Sequence, residues 1–315
     1  MIAFDSKKVN KNKILDGFVK QLLFIFTLIS ASFIFIIVGV ILVKGITPFI
    51  TDNNGLGTVN LFTFVTGDTW LTGEAFHSNL YSIGFIIVST VFIALLSLLI
   101  SLPIGVLTAL FIAKIAPVKM ALVLRTAIEM LAAIPSIIFG LFGASVIKPF
   151  VYNFSAVLGY QSKGGNSMLA TILVLSIMTI PTIATISEVA IRSVDKNLID
   201  ASLALGATKT QTHFKIVLSA AKSGIFAAAI LGIGRALGEA TAVSLVAGGR
   251  RSGFSLDILD TTSTLTSIML EGLKETTGLD YDIRFSVGII LMIIILITNF
   301  SLNSIKRMVG QIDVE

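Results

Sequence analysis

Six apolar stretches, near 22–43, 81–113, 125–147, 167–191, 223–248 and 284–304, dominate the sequence. Crossing a ~30 Å hydrocarbon core takes about 20 helical residues, and each stretch is long enough. Inside oil a chain must satisfy its own backbone N–H and C=O groups, and long continuous apolar runs do so as helices. The predicted fold class is therefore all-α, a polytopic membrane protein with six transmembrane helices. Composition agrees: 55% of residues are hydrophobic and 13% charged, with a mean hydropathy of +0.95. A soluble domain carries about 25% charged residues. A net charge of +5 would suggest nucleic acid in a soluble protein. Here the basic residues fix orientation in the bilayer, and no nucleic-acid partner is expected.

The basic residues alternate in a way that sets topology. Lys7, Lys8, Lys11, Lys13 and Lys20 precede span one. Lys114, Lys119 and Arg125 lie between spans two and three, Arg192, Lys196, Lys209, Lys215 and Lys222 between spans four and five, and Lys306 and Arg307 in the tail. Segment 45–80 holds no Lys or Arg. Both termini are thus expected in the cytoplasm of a prokaryotic cell, on the inner face of its plasma membrane. The outer segment 249–283 carries Arg250, Arg251 and Lys274, offset by Asp257, Asp260, Glu271, Glu275, Asp280 and Asp282. The expected organisation is a cytoplasmic segment 1–21, a membrane body 22–304 with outer loops 45–80 and 249–283 and a cytoplasmic loop 192–222, and a tail 305–315. Each outer loop has room for a short interfacial helix. The basic leader before span one lacks a small-residue cleavage site, so span one is read as an uncleaved anchor. Pro103 predicts a kink in span two, and Pro135 and Pro181 fall inside spans three and four.

The loop "LIDASLALGATKTQTHFKIVLSAAKSGI", 198–225, is unusual between spans. Leu198, Ile199, Leu203 and Leu205 form a short apolar face. Gly206 suits a left-handed helix stop, and Thr208 or Thr210 suits the cap of a second short helix carrying Phe214, Ile216, Val217 and Leu218. Helix, sharp bend, helix gives a thin knob fit for a partner's groove. An amphipathic loop lying on lipid is the alternative. The stretch resembles the coupling loop of ABC-importer permeases, whose pattern is Glu-Ala-Ala, three residues, Gly, nine residues, then Ile-x-Leu-Pro. Here stand Asp200, Ala201, Ser202, then Gly206, then Ile216, Val217, Leu218, Ser219. The spacing is intact; Asp, Ser and Ser replace Glu, Ala and Pro. "AIPSIIFGLFG" (133–143), "IPTIATISEVAIRSV" (180–194) and "GIGRALGEATAVSLVAG" (232–248) are similar to the phosphate importer's membrane subunits, and "LFTFVTGDTW" (61–70) to their C-type member.

That resemblance implies a MetI-like fold, a second A-type permease, two ATPase subunits docked on the coupling loops, an extracytoplasmic phosphate-binding protein, and phosphate as cargo. It implies that Asp200, Ala201, Ser202, Gly206, Ile216 and Leu218 couple to the ATPase, and that Arg235 and Glu239 line the path. The A-type permease and permeases for sulfate, molybdate or phosphonate are the alternatives, and a passive anion channel is a different class.

The residues of span five support the same direction independently. Arg235 lies twelve residues past 223, about 18 Å deep. Placing a bare Arg there costs roughly 2.5–3.5 kcal/mol or more. One reading is that Glu239, at i+4, merely neutralises it. The other is that the planar guanidinium meets an oxyanion in transit, with Glu239 easing release or accepting a bond from a phosphate hydroxyl, which sulfate lacks at neutral pH. Gly234 and Gly238 form a G-x-x-x-G, with Gly232 beside them, that favours close helix approach, either within the chain or at a seam with a second permease. Glu129 is expected to pair with Arg125, and Glu188 with Arg192. His77 and His213 are read as surface residues.

Resident chemistry is excluded on several counts. The sequence has no cysteine, and two histidines are too few for a histidine metal site, so no metal or cofactor is expected. "GATKT" (206–210) lacks the glycine before lysine that a phosphate-cradling loop needs. No H-E-x-x-H is present, and neither a histidine nor a lysine lies deep in a span to activate a serine. The chain is therefore expected to be no enzyme, with ATP hydrolysed by a partner subunit.

Overall fold

The computed structural model describes residues 6–311 apart from 56, 72–79 and 161. His77 lies outside the described residues. In chain order the helices are α1 (Ser6–Ile50), α2 (Gly84–Leu110), α3 (Val118–Ala133), α4 (Ser136–Phe142), α5 (Lys148–Val157), α6 (Met168–Arg192), α7 (Lys196–Ala204), α8 (Leu218–Gly238), α9 (Thr241–Ser244), α10 (Leu265–Leu270) and α11 (Leu279–Gln311). A short helix, Leu61–Thr66, lies between α1 and α2. Among the described residues, six helical segments are long and apolar enough to cross a membrane, as predicted. Among the described residues, β-pairing is confined to isolated bridges such as Thr69 with Ser252.

Boundaries differ from the expected ones where tertiary contacts override the apolar pattern. The third crossing is Ser136–Val157 rather than 125–147. Pro135 cannot continue the ladder, so α3 stops at Ala133 and α4 starts beyond the proline. Arg125 and Glu129 pair at 3.0 Å on the exposed face of α3. Pro103 and Pro181, by contrast, are carried inside α2 and α6. Helix α1 is continuous from Ser6, and α11 runs from Leu279 to Gln311.

The helix α1 runs antiparallel to α11. Gly45 makes the approach possible, because a Cβ there would lie 2.8 Å from the Phe285 backbone. Ser286 donates to the Gly45 carbonyl at 2.7 Å and Lys44 meets Asp282 at 3.2 Å. We call the end carrying both termini the terminal face, and the other end the distal face. The apolar surface of α1 is otherwise bare, with Phe24, Phe35 and Val43 all more than 60% exposed. Such surface is stable only against lipid or another membrane subunit.

The bundle centre is the crossing of α2, α6 and α8. Ile183 of α6 sits between two glycines: a Cβ on Gly105 would lie 2.8 Å from its Cγ2, and one on Gly232 would lie 2.9 Å from its Cδ1. Gly224, whose Cβ would lie 2.3 Å from Ala190 Cβ, and Gly232, not the Gly234/Gly238 pair, are the close-packing glycines of α8; nothing stands within 4 Å of a Cβ on either of the latter two. Gly105→Ala is expected to cost about 1–3 kcal/mol of overpacking, since it meets the stiff branch of Ile183. Gly232→Ala meets its movable tip and is expected to cost less. Unfolding midpoints of the detergent-solubilised variants check the order, and Ile183→Ala should restore Gly105→Ala.

Distal segments are knitted together. The Trp70 N–H donates to the Arg251 carbonyl at 2.8 Å, and the Gly253 N–H to the Asp68 carbonyl at 2.7 Å. Arg250 pairs with Asp260, and Arg251 with Glu271 at 2.6 Å, so both arginines of this loop are neutralised locally. Burial works against the Asp260 charge, but the Thr261 N–H and Arg250 outweigh it and hold the carboxyl below its ordinary range. The hydroxyl of Tyr81 donates to Asp280; burial and that carboxylate push its pKa well above the usual tyrosine range.

Candidate functional site: a broken helix and its cleft

Span five does not run to 248. Helix α8 ends at Gly238, and Glu239 leaves the helix with an extended backbone (φ −77, ψ 118). The chain then turns into the four-residue α9. The sequence remains apolar through this break, so hydropathy does not reveal it. Docking does: Ala242, Val243, Val246 and Ala247 are all buried in the core formed by α4 and α6. A Cβ on Gly140 of α4 would lie 2.8 Å from Ala242 Cα, so this glycine admits α9 to the bundle.

The break lies at mid-depth. Arg235, in the last turn of α8, donates through Nη1 to Thr182 Oγ1 at 2.7 Å. Thr182 is near the middle of the 25-residue α6, about 21 Å from its distal end. The free carbonyls at the end of α8 favour a cation there. Arg235 and Glu239 are not the expected helical pair. Among the described residues no ion pair joins them; Glu239 Oε1 instead accepts from the Ala242 N–H at 3.0 Å, and its carbonyl accepts from Thr266 Oγ1 at 2.7 Å. Local neutralisation therefore does not explain Arg235. Leu231, Gly234, Arg235 and Gly238 share one stripe of α8 and are all exposed or half-exposed, whereas Ile233, Ala236 and Leu237 face inward.

A cleft leads from the break towards the distal face. Its inner part, about 360 Å³, is lined by Gly238, Ala240, Thr266, Leu270 and Arg284. Its outer part, about 390 Å³, is lined by Ser244, Gly248, Gly249, Ser267 and Glu271 and abuts the first at Leu270. The hydroxyl-rich run 261–267 beside this cleft is buried throughout, with Thr262 at 1% and Thr264 at 4% exposure. It reaches down far enough for the Leu265 N–H to donate to Thr90 Oγ1 at 3.0 Å. The distal loop thus dips into the bundle as α10 rather than lying on an interface. Non-helical backbone is tolerated at membrane depth where it is buried in protein or lines a cavity, and broken helices at mid-depth are how many transporters build substrate sites. Thr182, Thr266, Ser267 and Arg284 escaped the sequence reading. Threonine and serine are commonplace in apolar spans, and Arg284 stands at the edge of the last apolar stretch, where basic residues are ordinary.

At the terminal face, α7 is capped by Asp195, whose side chain accepts from the Asn197 N–H at 2.9 Å. It stops at Gly206, held at φ +84. Thr208 and Gln211 form a capping box. The helix they start is not a separate second knob helix: the segment Lys209–Gly238 is continuous over 30 residues, with one wide-turn stretch at Thr212–Val217. Asp200, Ala201, Leu205 and Gly206 are exposed, Leu205 at 89%. Ser202, Ile216 and Leu218 are half-buried. Ser202 Oγ lies 2.9 Å from Thr212 Oγ1, which ties α7 to the base of span five. His213 is half-buried. Glu188 is buried and pairs with Arg192 at 2.7 Å. Among the described residues no group of His, Cys, Asp and Glu is arranged to hold a metal.

The family model described as "Binding-protein-dependent transport system inner membrane component" matches residues 101–311, which include both the broken helix and the knob. The chain belongs to this family. As a binding-protein-dependent inner membrane component it resembles a probable ABC transporter permease protein, YqgH, of Bacillus subtilis, with 35% identity over 253 residues, 80% of this chain and 78% of that protein. It is 28% identical over 300 residues to the phosphate transport system permease protein PstC 1 of Mycobacterium tuberculosis, covering 86% of this chain and 89% of the relative. Among solved structures, a bacterial ABC transporter that imports the acidic polysaccharide alginate matches with a TM-score of 0.63 at 18% identity, covering 95% of this chain and 98% of that one. The inward-facing methionine transporter MetNI matches with a TM-score of 0.52 at 24% identity, covering 70% and 91%. These two share the fold. The expected ABC-importer permease architecture is therefore correct.

Proposed function

We propose that this chain is the C-type permease of an ATP-driven phosphate importer, with residues 22–304 as its membrane body and Arg235 in the conduit. The observation that carries the reading is the guanidinium presented at a helix break of mid-membrane depth, unpaired with Glu239 and open along one stripe of α8. A cation held there needs an anion or a polar route. Glu239, half-exposed beside it, offers an acceptor to the hydroxyl of a protonated phosphate. The names of the phosphate-permease relatives support the same cargo.

In this reading the distal face is outside and both termini are cytoplasmic. A phosphate-binding protein delivers to the distal loops 45–80 and 249–283. A second, A-type permease covers the bare stripe of α8 and completes the path. Two ATPase subunits hydrolyse ATP and dock on the knobs of the two permeases, here through Asp200, Ala201 and Gly206, with Ser202, Ile216 and Leu218 holding the knob to span five. Closure of the ATPase pair moves the knobs, and the spans alternate between two access states.

Reconstitution tests this. Radiolabelled phosphate should enter proteoliposomes holding both permeases and the ATPase subunits only when ATP and the binding protein are present. Sulfate in tenfold excess should leave uptake unchanged. Phosphate flux that persists without ATP would make the chain a passive anion channel.

A further inference from the structure

A buried cation lines the inner part of the cleft. Arg284, in the first turns of α11, is 4% exposed and lines the inner cavity with Gly238, Ala240 and Thr266. Its Nη1 donates to the Ile268 carbonyl at 2.5 Å, while its Nε is buried with no hydrogen-bond partner. The carboxylates of Asp280 and Glu271 lie close enough to favour its charge, but among the described residues neither forms an ion pair with it: Asp280 accepts from Tyr81 and Glu271 from Arg251. Most of the remaining lining is apolar, contributed by Met269, Leu273, Phe285 and Leu291. A guanidinium buried with a single neutral acceptor is unfavourable unless an anion compensates it. A purely structural clamp on α10 would not need a charge, since a neutral donor would serve the Ile268 carbonyl as well.

We propose that Arg284 is a second oxyanion station, which takes a phosphate-like tetrahedral anion in the inner cavity before it passes to Arg235. This rests on the conduit reading above. The geometry suits stepwise passage. The cavity reaches Gly238 and Ala240 at the break, and Thr266, on its wall, is bonded to the Glu239 carbonyl. An anion leaving Arg284 therefore passes Gly238 and Ala240, one helical turn from Arg235. Two stations in series also hold an ion less tightly than one deep site, as throughput requires.

The absence of native cysteine gives a clean test. Ala240→Cys, in the assembled transporter in proteoliposomes, is reacted with an anionic and with a cationic methanethiosulfonate reagent. The anionic one is expected to react roughly tenfold faster, the scale of electrostatic focusing in a charged cleft, and inorganic phosphate should slow it. Arg284→Gln should remove both the preference and the protection, and Arg284→Lys should keep the preference. If Arg284→Gln misassembles, Arg284→Lys carries the test: protection by phosphate should weaken about tenfold with loss of the paired donors. A preference independent of residue 284, or no protection by phosphate in the parent, overturns the inference. Failure of the conduit reading registers separately, as ATP-driven phosphate uptake undiminished by Arg235→Leu.

Discussion

Arg235→Leu is expected to yield a transporter that assembles, docks its ATPase subunits and hydrolyses ATP, yet takes up phosphate about two orders of magnitude more slowly. The size follows from charge-assisted hydrogen bonds to the moving anion, each worth about 1.5–3 kcal/mol. Stability should not fall with it. Replacing an unpaired cation at mid-depth by an apolar side chain removes a desolvation penalty, and only the bond to Thr182 Oγ1 is lost. Uptake and the unfolding midpoint of the purified complex should therefore move independently. Arg235→Lys should lie between, because it keeps the charge but not the planar fork. Normal uptake by the leucine variant would remove Arg235 from the conduit.

The second large effect is expected at the opposite end of the same helical segment. Gly206 holds φ +84 with open space around its Cα. A valine there clashes with nothing, so its only direct penalty is the left-handed backbone, on the order of 1–3 kcal/mol and at the upper end for a β-branched residue. That strain is relieved by reshaping the turn between α7 and span five, which displaces the exposed Ala201–Leu205 surface. Gly206→Val is expected to leave folding and membrane insertion intact while phosphate uptake per ATP hydrolysed falls roughly tenfold or more. Gly206→Asn, which tolerates this region better, should retain more coupling. The measurement is the ratio of phosphate transported to ATP consumed in proteoliposomes; an unchanged ratio in the valine variant would place the coupling contact elsewhere.

Much of this was legible in the sequence because oil imposes a strong rule on chain length and polarity. The six crossings, the αL stop at Gly206, and the Arg125–Glu129 and Arg192–Glu188 pairs follow from local spacing. What was not legible is what packing decides. Nothing local ends the helix at Gly238: "ATAVSLVAG" continues as apolar as what precedes it, and α9 forms because Val243 and Val246 fit the core beside Gly140 and Gly143. The i, i+4 spacing of Arg235 and Glu239 therefore suggested a helical pair that the break abolishes. Conversely, the G-x-x-x-G at Gly234 and Gly238 left a seam within the chain or with a second permease open; within the chain it is Gly232, outside the motif, that meets Ile183.

The unbroken run from Lys209 to Gly238 is about 45 Å of rod, and it fixes an angular phase between its two ends. Each residue contributes about 100° of rotation. One residue added or removed between the Thr208 cap and Arg235 would swing the guanidinium away from Thr182 while leaving every contact of α7 untouched. The count of residues therefore sets the phase between the two ends of span five, alongside the contacts that Gly224 and Gly232 make with α6.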